Sequence, residues 1–308
     1  MTVDEAYAEC RAIAHKHGAN FSVGFRFLPR AKRRAVYASY AFCRVADDIA
    51  DESLEDRQSC LSGETDRQPW LSGETDRQDC LSSTPERLDA WQRELDACYE
   101  GRPTHPITIA LADALTRFPI PKSAFEALIA GCRQDTVKSR YENFDELMHY
   151  CDLVATSISD ISLPIFGYRT DRAREYGRNL ATALQLTNVT RDVGDDLARD
   201  RIYVPQEDLR RFGVTEEELF ARSENERVRR LIEFQIERAE KWFRDAEPLL
   251  RELAFDARFG VLLMGGIYAT VLGKLRKDPL AAIRERLSLT RFQKVMVVGT
   301  RVLRPHFV

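Results

Sequence analysis

The stretch "YASYAFCRVADDIADE", residues 37–52, begins like the buried face of a helix and ends in four acids, Asp47, Asp48, Asp51 and Glu52. Wound as a helix, it puts Val36, Tyr40, Cys43 or Arg44, Asp47 and Asp51 on one stripe at spacings of three and four. The stripe runs from apolar to acidic. Like charges at i and i+4 cost an exposed helix only about 0.2–0.5 kcal/mol, whereas a partly buried carboxylate pair needs a compensating cation. Alone, the pattern reads either as a solvated, acid-rich helix end or as half of a cation site.

The other half lies in "QLTNVTRDVGDD", residues 185–196, where Gln185, Asn188, Asp192 and Asp196 recur at helical spacing. Carboxylate and amide oxygens are hard ligands suited to Mg²⁺, which keeps part of its water and shares a few protein carboxylates with phosphate oxygens. Two such faces turned toward each other would hold a diphosphate through metal bridges. The following "LARDRIYVP", 197–205, adds Arg199, Arg201 and Tyr203 before Pro205. Arginine binds phosphate oxygens in pairs, and a tyrosine at the edge of an apolar cavity orients a leaving group or excludes water. The alternative for Arg199 and Arg201 is a surface ion-pair network.

The rest of the chain sets this pair of motifs in an almost all-helical protein. Long segments rich in Ala, Leu, Arg and Glu repeat at helical period: "PKSAFEALIAGCRQDT", "DELMHYCDLVATSISDISLPIFGY", "EYGRNLATALQLTNVTRDVGDDLARD" and "ENERVRRLIEFQIERAEKWFRDAEPLLREL". With 44% hydrophobic residues in 308, the material for a sizeable core is present, and no linker divides it, so 1–308 reads as a single domain. A net charge of −3 gives no general reason to bind nucleic acid. Seven cysteines, an odd number without a CxxC pair, fit a reducing cytoplasm. The most apolar run, "FGVLLMGGIYATVLG" at 259–273, falls short of the roughly 20 apolar residues of a spanning helix and reads as a core helix, leaving membrane contact peripheral. The five histidines form no catalytic spacing.

One segment stands apart. "DRQSCLSGET", "DRQPWLSGET" and "DRQDCLSSTP" repeat at a ten-residue period across 56–85, too short for a solenoid and rich in Ser, Gly, Asp and Gln. It reads as a surface-loop insertion, with Cys60 and Cys80 as incidental copies matching no metal template.

Taken in order, "NFSVGFRFLP" (20–29), "YAFCRVADDIAD" (40–51), "LIAGCRQD" (128–135), "YCDLVATSIS" (150–159) and "QLTNVTRDVGDDLARDRIYVP" (185–205) make the sequence resemble the squalene and phytoene synthase family over nearly its whole length. The resemblance implies an all-α, isoprenoid-synthase-type bundle around a central apolar cavity. It also implies Mg²⁺ roles for Asp47, Asp51, Asp192 and Asp196 with Asn188 beside them, two or three ions binding with the diphosphate. Gln185 would stand near the reacting chains. Arg44, Arg191 and Arg201 would be partners of diphosphate or acids, and Tyr40, Tyr203 and Tyr268 pocket tyrosines, with core packing as the other reading of Tyr40 and Tyr268. Phe21, Val154 and Ala155 would line the apolar tunnel. The chain departs from the family pattern at Gly18 and Asn20, where many relatives carry serines, and at Ser159, where a glycine is usual. The latter leaves a local helix kink and the tunnel shape open.

The reaction expected from the resemblance is Mg²⁺-dependent head-to-head condensation of two allylic prenyl diphosphates: two farnesyl chains giving presqualene diphosphate or another squalene-type C30 product. The alternatives are phytoene synthesis from two geranylgeranyl diphosphates and a noncatalytic helical prenyl-lipid binder. The four motif aspartates argue against a mere binder, and "DVGDDLARDRIYVP" argues against a head-to-tail elongase or a terpene cyclase. NADPH stays open, because no dinucleotide fingerprint is present.

Overall fold

The computed structural model describes residues 1–17, 24–62, 83–284, 287–303 and 306–307, and does not describe the side chains of 52–62, 291, 295, 302 and 303. Helix α1 spans Val3–His17, α2 Arg30–Ser62, α3 Thr84–Tyr99, α4 Pro106–Leu115 and α5 Lys122–Asp135. Next come α6 (Phe144–Cys151), a π-helical turn (Asp152–Thr156) and α7 (Ser157–Phe166), continuous with one another. Helices α8 (Arg172–Arg191), α9 (Val193–Ala198), α10 (Gln206–Phe212), α11 (Glu216–Phe220) and α12 (Glu226–Ala246) follow. The chain closes with α13 (Leu249–Glu252), α14 (Phe255–Lys277), α15 (Ala281–Arg284) and α16 (Arg291–Leu303). Among the described residues, extended pairing is limited to two isolated bridges, Arg140 with Ile202 and Tyr168 with Leu253.

Local chemistry sets these boundaries. The Ser83 N–H donates to the Glu86 carboxylate at 2.8 Å ahead of α3, and Asn143 and Asn225 cap α6 and α12 by accepting from Glu146 and Val228 backbone N–H groups at 2.9 and 3.0 Å. Pro106 opens α4, where a missing N–H costs nothing. Regular helix reaches into both ends of the segment 56–85. Helix α2 runs on through 56–62, because "DRQSCLS" contains no breaker before Gly63, and Thr84 and Pro85 already belong to α3. The remainder of the repeat, with Cys80, lies outside the described residues.

Helix α8 is the central element, packed against α7, α12, α14 and the π turn, while α2 lies against α1, α4 and α5. Phe42 of α2 stacks on Trp91 at 4.7 Å and meets Phe125 edge-on at 5.0 Å. The π turn crosses α5 at Gly131, where a Cβ would lie 2.5 Å from Val154 Cγ1. Only a residue without a side chain lets the two backbones approach this closely. The irregularity left open around 154–159 is therefore this π turn, upstream of Ser159. Helix α14, long and apolar enough to cross a membrane by length and composition, has 67% of its most apolar window buried inside the protein.

Candidate active site

Burial singles out two stripes. Within 181–194 of α8 and the start of α9, every residue is buried except Gln185, Asn188 and Asp192. On α2 the sites between Ala35 and Asp51 that keep accessible surface include Tyr40, Arg44, Asp47 and Asp51. A helix enclosed by protein that exposes only its polar stripe must face an interior recess.

Arg44 Nη1 donates to Asp47 at 2.9 Å, its other terminal nitrogen pairs with Asp48, and its Nε is buried without a partner. Across the recess, Arg191 grips Asp192 with two hydrogen bonds of 2.7 and 2.5 Å. Asn188 Nδ2 donates to Gln185 Oε1 at 3.3 Å, while Asn188 Oδ1 is buried and unpaired. Asp196 follows at the first turn of α9, and a small cleft beside it is lined by Val193, Leu197, Arg201 and Tyr203. Arg199 is exposed near Asp196.

The electrostatics tie the stripes into one site. Desolvation raises the Asp47 carboxyl to about 7, with Asp51 adding repulsion and Arg44 opposing it. Asp47 nevertheless keeps 54% of its side-chain surface accessible. Both observations hold for a carboxylate in a recess, open to water but ringed by protein. Asp196 is raised to about 8, again by desolvation first and then by Asp192, against Arg201 and Arg199. Asp135 repels both Asp47 and Asp196, so it lies within electrostatic reach of each cluster. Tyr40, pushed up to about 12 by burial, feels Asp47 on its own helix and Tyr268 on α14, and Tyr268 in turn feels Arg191 and Asp192.

Asp135, at the end of α5, is the residue that sequence reasoning missed, together with Tyr150. Its carboxylate accepts from Tyr150 at 2.6 Å and Tyr203 at 2.9 Å, and Arg201 Nη2 donates to its backbone carbonyl at 2.7 Å. The rings of Tyr141, Tyr150 and Tyr203 cluster with centroids 5.4–5.6 Å apart. Tyr203 is therefore held by a carboxylate where it lines the cleft beside Asp196. The motifs "LIAGCRQD" and "YCDLVATSIS" carried the signal, but Asp135 and Tyr150 have no acidic partner at helical spacing of the kind that marks the two stripes. Val154 is half-buried and Ala155 buried on the π turn against α5. Phe21, Gly18 and Asn20 lie outside the described residues.

Among the described residues no three His, Cys, Asp or Glu side chains stand close enough to hold an ion by themselves. The donor set nevertheless fits Mg²⁺: desolvated carboxylates and an orphaned amide oxygen are hard donors, and Mg²⁺ takes one or two carboxylates with substrate phosphates rather than an all-protein cage.

Residues 14–293 match the family model described as squalene/phytoene synthase. Among characterised relatives, the chain is 31% identical to the 15-cis-phytoene synthase of Synechococcus elongatus, over 98% of this chain and 94% of the relative. It is 32% identical to the phytoene synthase of Arthrospira platensis, with the same coverage of each. Among solved structures, a dehydrosqualene synthase in complex with ligand superposes with a TM-score of 0.82 at 26% identity, covering 99% of this chain and 98% of that one. The squalene synthase HpnC from Alicyclobacillus acidocaldarius superposes at 0.75 and 29% identity, covering 90% and 95%. A match of this extent, on a chain whose two acid stripes face one recess, means that the protein belongs to the squalene/phytoene synthase family and is a prenyltransferase of the head-to-head type.

Proposed function

We propose that the protein joins two geranylgeranyl diphosphates head to head into a C40 product of the phytoene type, with the whole chain acting as one domain around a contiguous core from Ala6 to Phe307. The observation that carries the reaction is the pair of desolvated acid stripes, on α2 and α8–α9, that both feel the charge of Asp135. The C20 chain length is supported by the relatives named phytoene synthases, which match nearly end to end. Two farnesyl chains and a C30 product form the second reading, favoured by the likeness to dehydrosqualene and squalene synthase structures.

Asp47 and Asp51 on one side, and Asp192 and Asp196 with Asn188 on the other, would hold Mg²⁺. When bound, the ions neutralise the departing diphosphate and so promote ionisation of the allylic C–O bond. Arg44 and Arg191 each sit beside an acid of their own stripe, ready to exchange a carboxylate for phosphate oxygens. Arg201, with a hydrogen bond to the Asp135 carbonyl, presents a fixed cation to the same space. The double bond of the second substrate attacks the allylic cation, and loss of a proton closes a cyclopropyl ring whose carbinyl carbon still bears diphosphate. Burial raises the Tyr150 and Tyr203 hydroxyls well above their ordinary value, so both stay neutral phenols donating to Asp135 and are weak bases for that proton. The released diphosphate is the base at hand. Tyr40, Tyr268, Val154 and Ala155 line the approach and keep water from the cation.

Incubation of purified protein with Mg²⁺ and either geranylgeranyl or farnesyl diphosphate, with and without NADPH, followed by mass analysis of the lipids, tests both levels. A dominant C40 product from the C20 substrate is expected. A dominant C30 product would overturn the chain length and keep the mechanism. If folded, Mg²⁺-supplied protein releases diphosphate from neither substrate, the proposed reaction fails.

A further inference from the structure

The end of α14 away from the acid recess carries a patch that the reaction does not use. Phe255, in the first turn of α14, is 87% exposed, and Phe27, in the turn before α2, is 49% exposed. Phe27 meets Phe259 edge-on at 4.9 Å. The two segments are locked together at Gly24 and Gly260, where a Cβ on either would fall within 2.8 Å of the other's carbonyl oxygen. The aromatic patch is therefore a fixed feature of the surface. Phe255 and Phe259 stand one helical turn apart with Phe27 against the latter, so the rings form one apolar strip rather than isolated side chains, and it is contiguous patches that mark contact sites.

The surroundings are cationic on a chain whose net charge is −3. Among the described residues none of Arg26, Arg30, Arg33, Arg251 or Arg258 makes an ion pair. Arg33 donates to the Arg26 carbonyl at 3.2 Å, and Arg258 donates to the Leu253 and Arg251 carbonyls at 3.0 and 3.3 Å, so backbone contacts fix these side chains and leave their charge uncompensated. Of the two acids in the patch, Asp256 is matched by Lys32 at 2.6 Å and Glu252 accepts from the Thr170 hydroxyl at 2.8 Å, so the five arginines leave the face net cationic. By helical rise, Phe259 lies about 14 Å along α14 from Tyr268, and Arg33 about 21 Å along α2 from Asp47. Both helices thus separate the patch from the acids.

From this juxtaposition of outward phenylalanines and unpaired arginines we propose that the face formed by residues 24–33 and 251–259 docks on the surface of an anionic lipid bilayer, the rings entering the headgroup boundary and the arginines meeting lipid phosphates. A neutral bilayer would leave the charges unused, and an aqueous setting would leave the rings uncovered. The inference stands on the patch itself and holds whichever prenyl chain the site accepts.

Vesicle co-sedimentation tests it with the full chain, using phosphatidylcholine vesicles with and without about one third phosphatidylglycerol. Wild type is expected to sediment with the anionic vesicles only, and to be released by high salt. Phe27→Ser/Phe255→Ser and Arg26→Glu/Arg251→Glu should each weaken binding by about tenfold or more. The control is Phe292→Ser: Phe292 is equally outward, but the start of α16 lies beside Lys274 at the far end of α14, where Lys274 Nζ donates to Gln293 Oε1 at 2.9 Å. It should bind like wild type. Circular dichroism melts establish that each variant is folded. Sedimentation with neither vesicle, equal binding by the patch variants, or a dimer in solution that the Phe27/Phe255 pair abolishes would overturn the proposal, the last by assigning the face to a second copy of the chain.

Discussion

Asp135 accepts two tyrosine hydroxyls at 2.6 and 2.9 Å and is raised in pKa by burial against Arg201, Tyr150 and Tyr203. It touches neither stripe by hydrogen bond, so its expected effect is to hold the Tyr150 and Tyr203 rings and the Arg201 backbone contact in place. Asp135→Asn keeps the shape but weakens both acceptor bonds. It should lower kcat for diphosphate release by about 10- to 100-fold with little change in KM, the range seen when a partner behind a ligand is lost. A fall in melting temperature with kcat unchanged would reduce Asp135 to a structural role. Asp47→Asn and Asp192→Asn remove charge from separate stripes and should each cost about a hundredfold or more in Mg²⁺-dependent turnover while helical content is preserved, a comparison read by circular dichroism and diphosphate release. Wild-type turnover in both would overturn their roles. The stripe acids were legible because their spacing on a helix is local. Asp135 was not, because its partners lie 15 and 68 residues away and nothing short of the fold brings them together.

The elements carry the site through two departures from regular helix. Helix α8 ends at Arg191, and Asp192, with φ of −97° and ψ of 11°, is the junction from which α9 starts, so Asp192 and Asp196 do not lie on one uninterrupted helix. The π turn at Asp152–Thr156 sets Leu153 and Val154 against Gly131. Helical period exposed α5, α8 and α12 in the sequence, but "DLVAT" has no composition that marks a π turn, and "DRQSCLS" was read as loop because the repeat hid its helical neutrality. Gly131→Ala should destabilise the protein by about 1–3 kcal/mol, since the new methyl meets a β-branched side chain that cannot swing away. Adding Val154→Ala removes the opposing methyl and should recover part of the loss, a coupling measured by urea denaturation of the two single variants and the pair. Strictly additive losses would show that the contact at Gly131 does not set the position of the π turn.

At the scale of the whole molecule, the cost of gathering acids into one recess must appear as a dependence of stability on pH. Aspartate has an ordinary value of 3.8, but in the metal-free fold Asp47 is raised to about 7 and Asp196 to about 8. Between these values the folded chain holds protons that the unfolded chain has released. The stabilisation this gives is complete below about pH 4 and is lost as pH rises through 7 and 8. His105 works the other way: burial lowers its pKa, so its contribution grows as pH rises toward 6.5. A comparison with Asp47→Asn/Asp196→Asn, which lacks both acids and retains His105, separates the two. In chelator, the melting temperature of wild type should fall from pH 5 to pH 8 relative to that of the double variant. Mg²⁺ with inorganic diphosphate binds the ionised carboxylates, so its stabilising increment should grow over the same interval and be small in the variant. If wild type and the double variant follow the same pH profile in chelator, Asp47 and Asp196 do not share a desolvated recess, and the electrostatic basis for placing cations between the two stripes is lost.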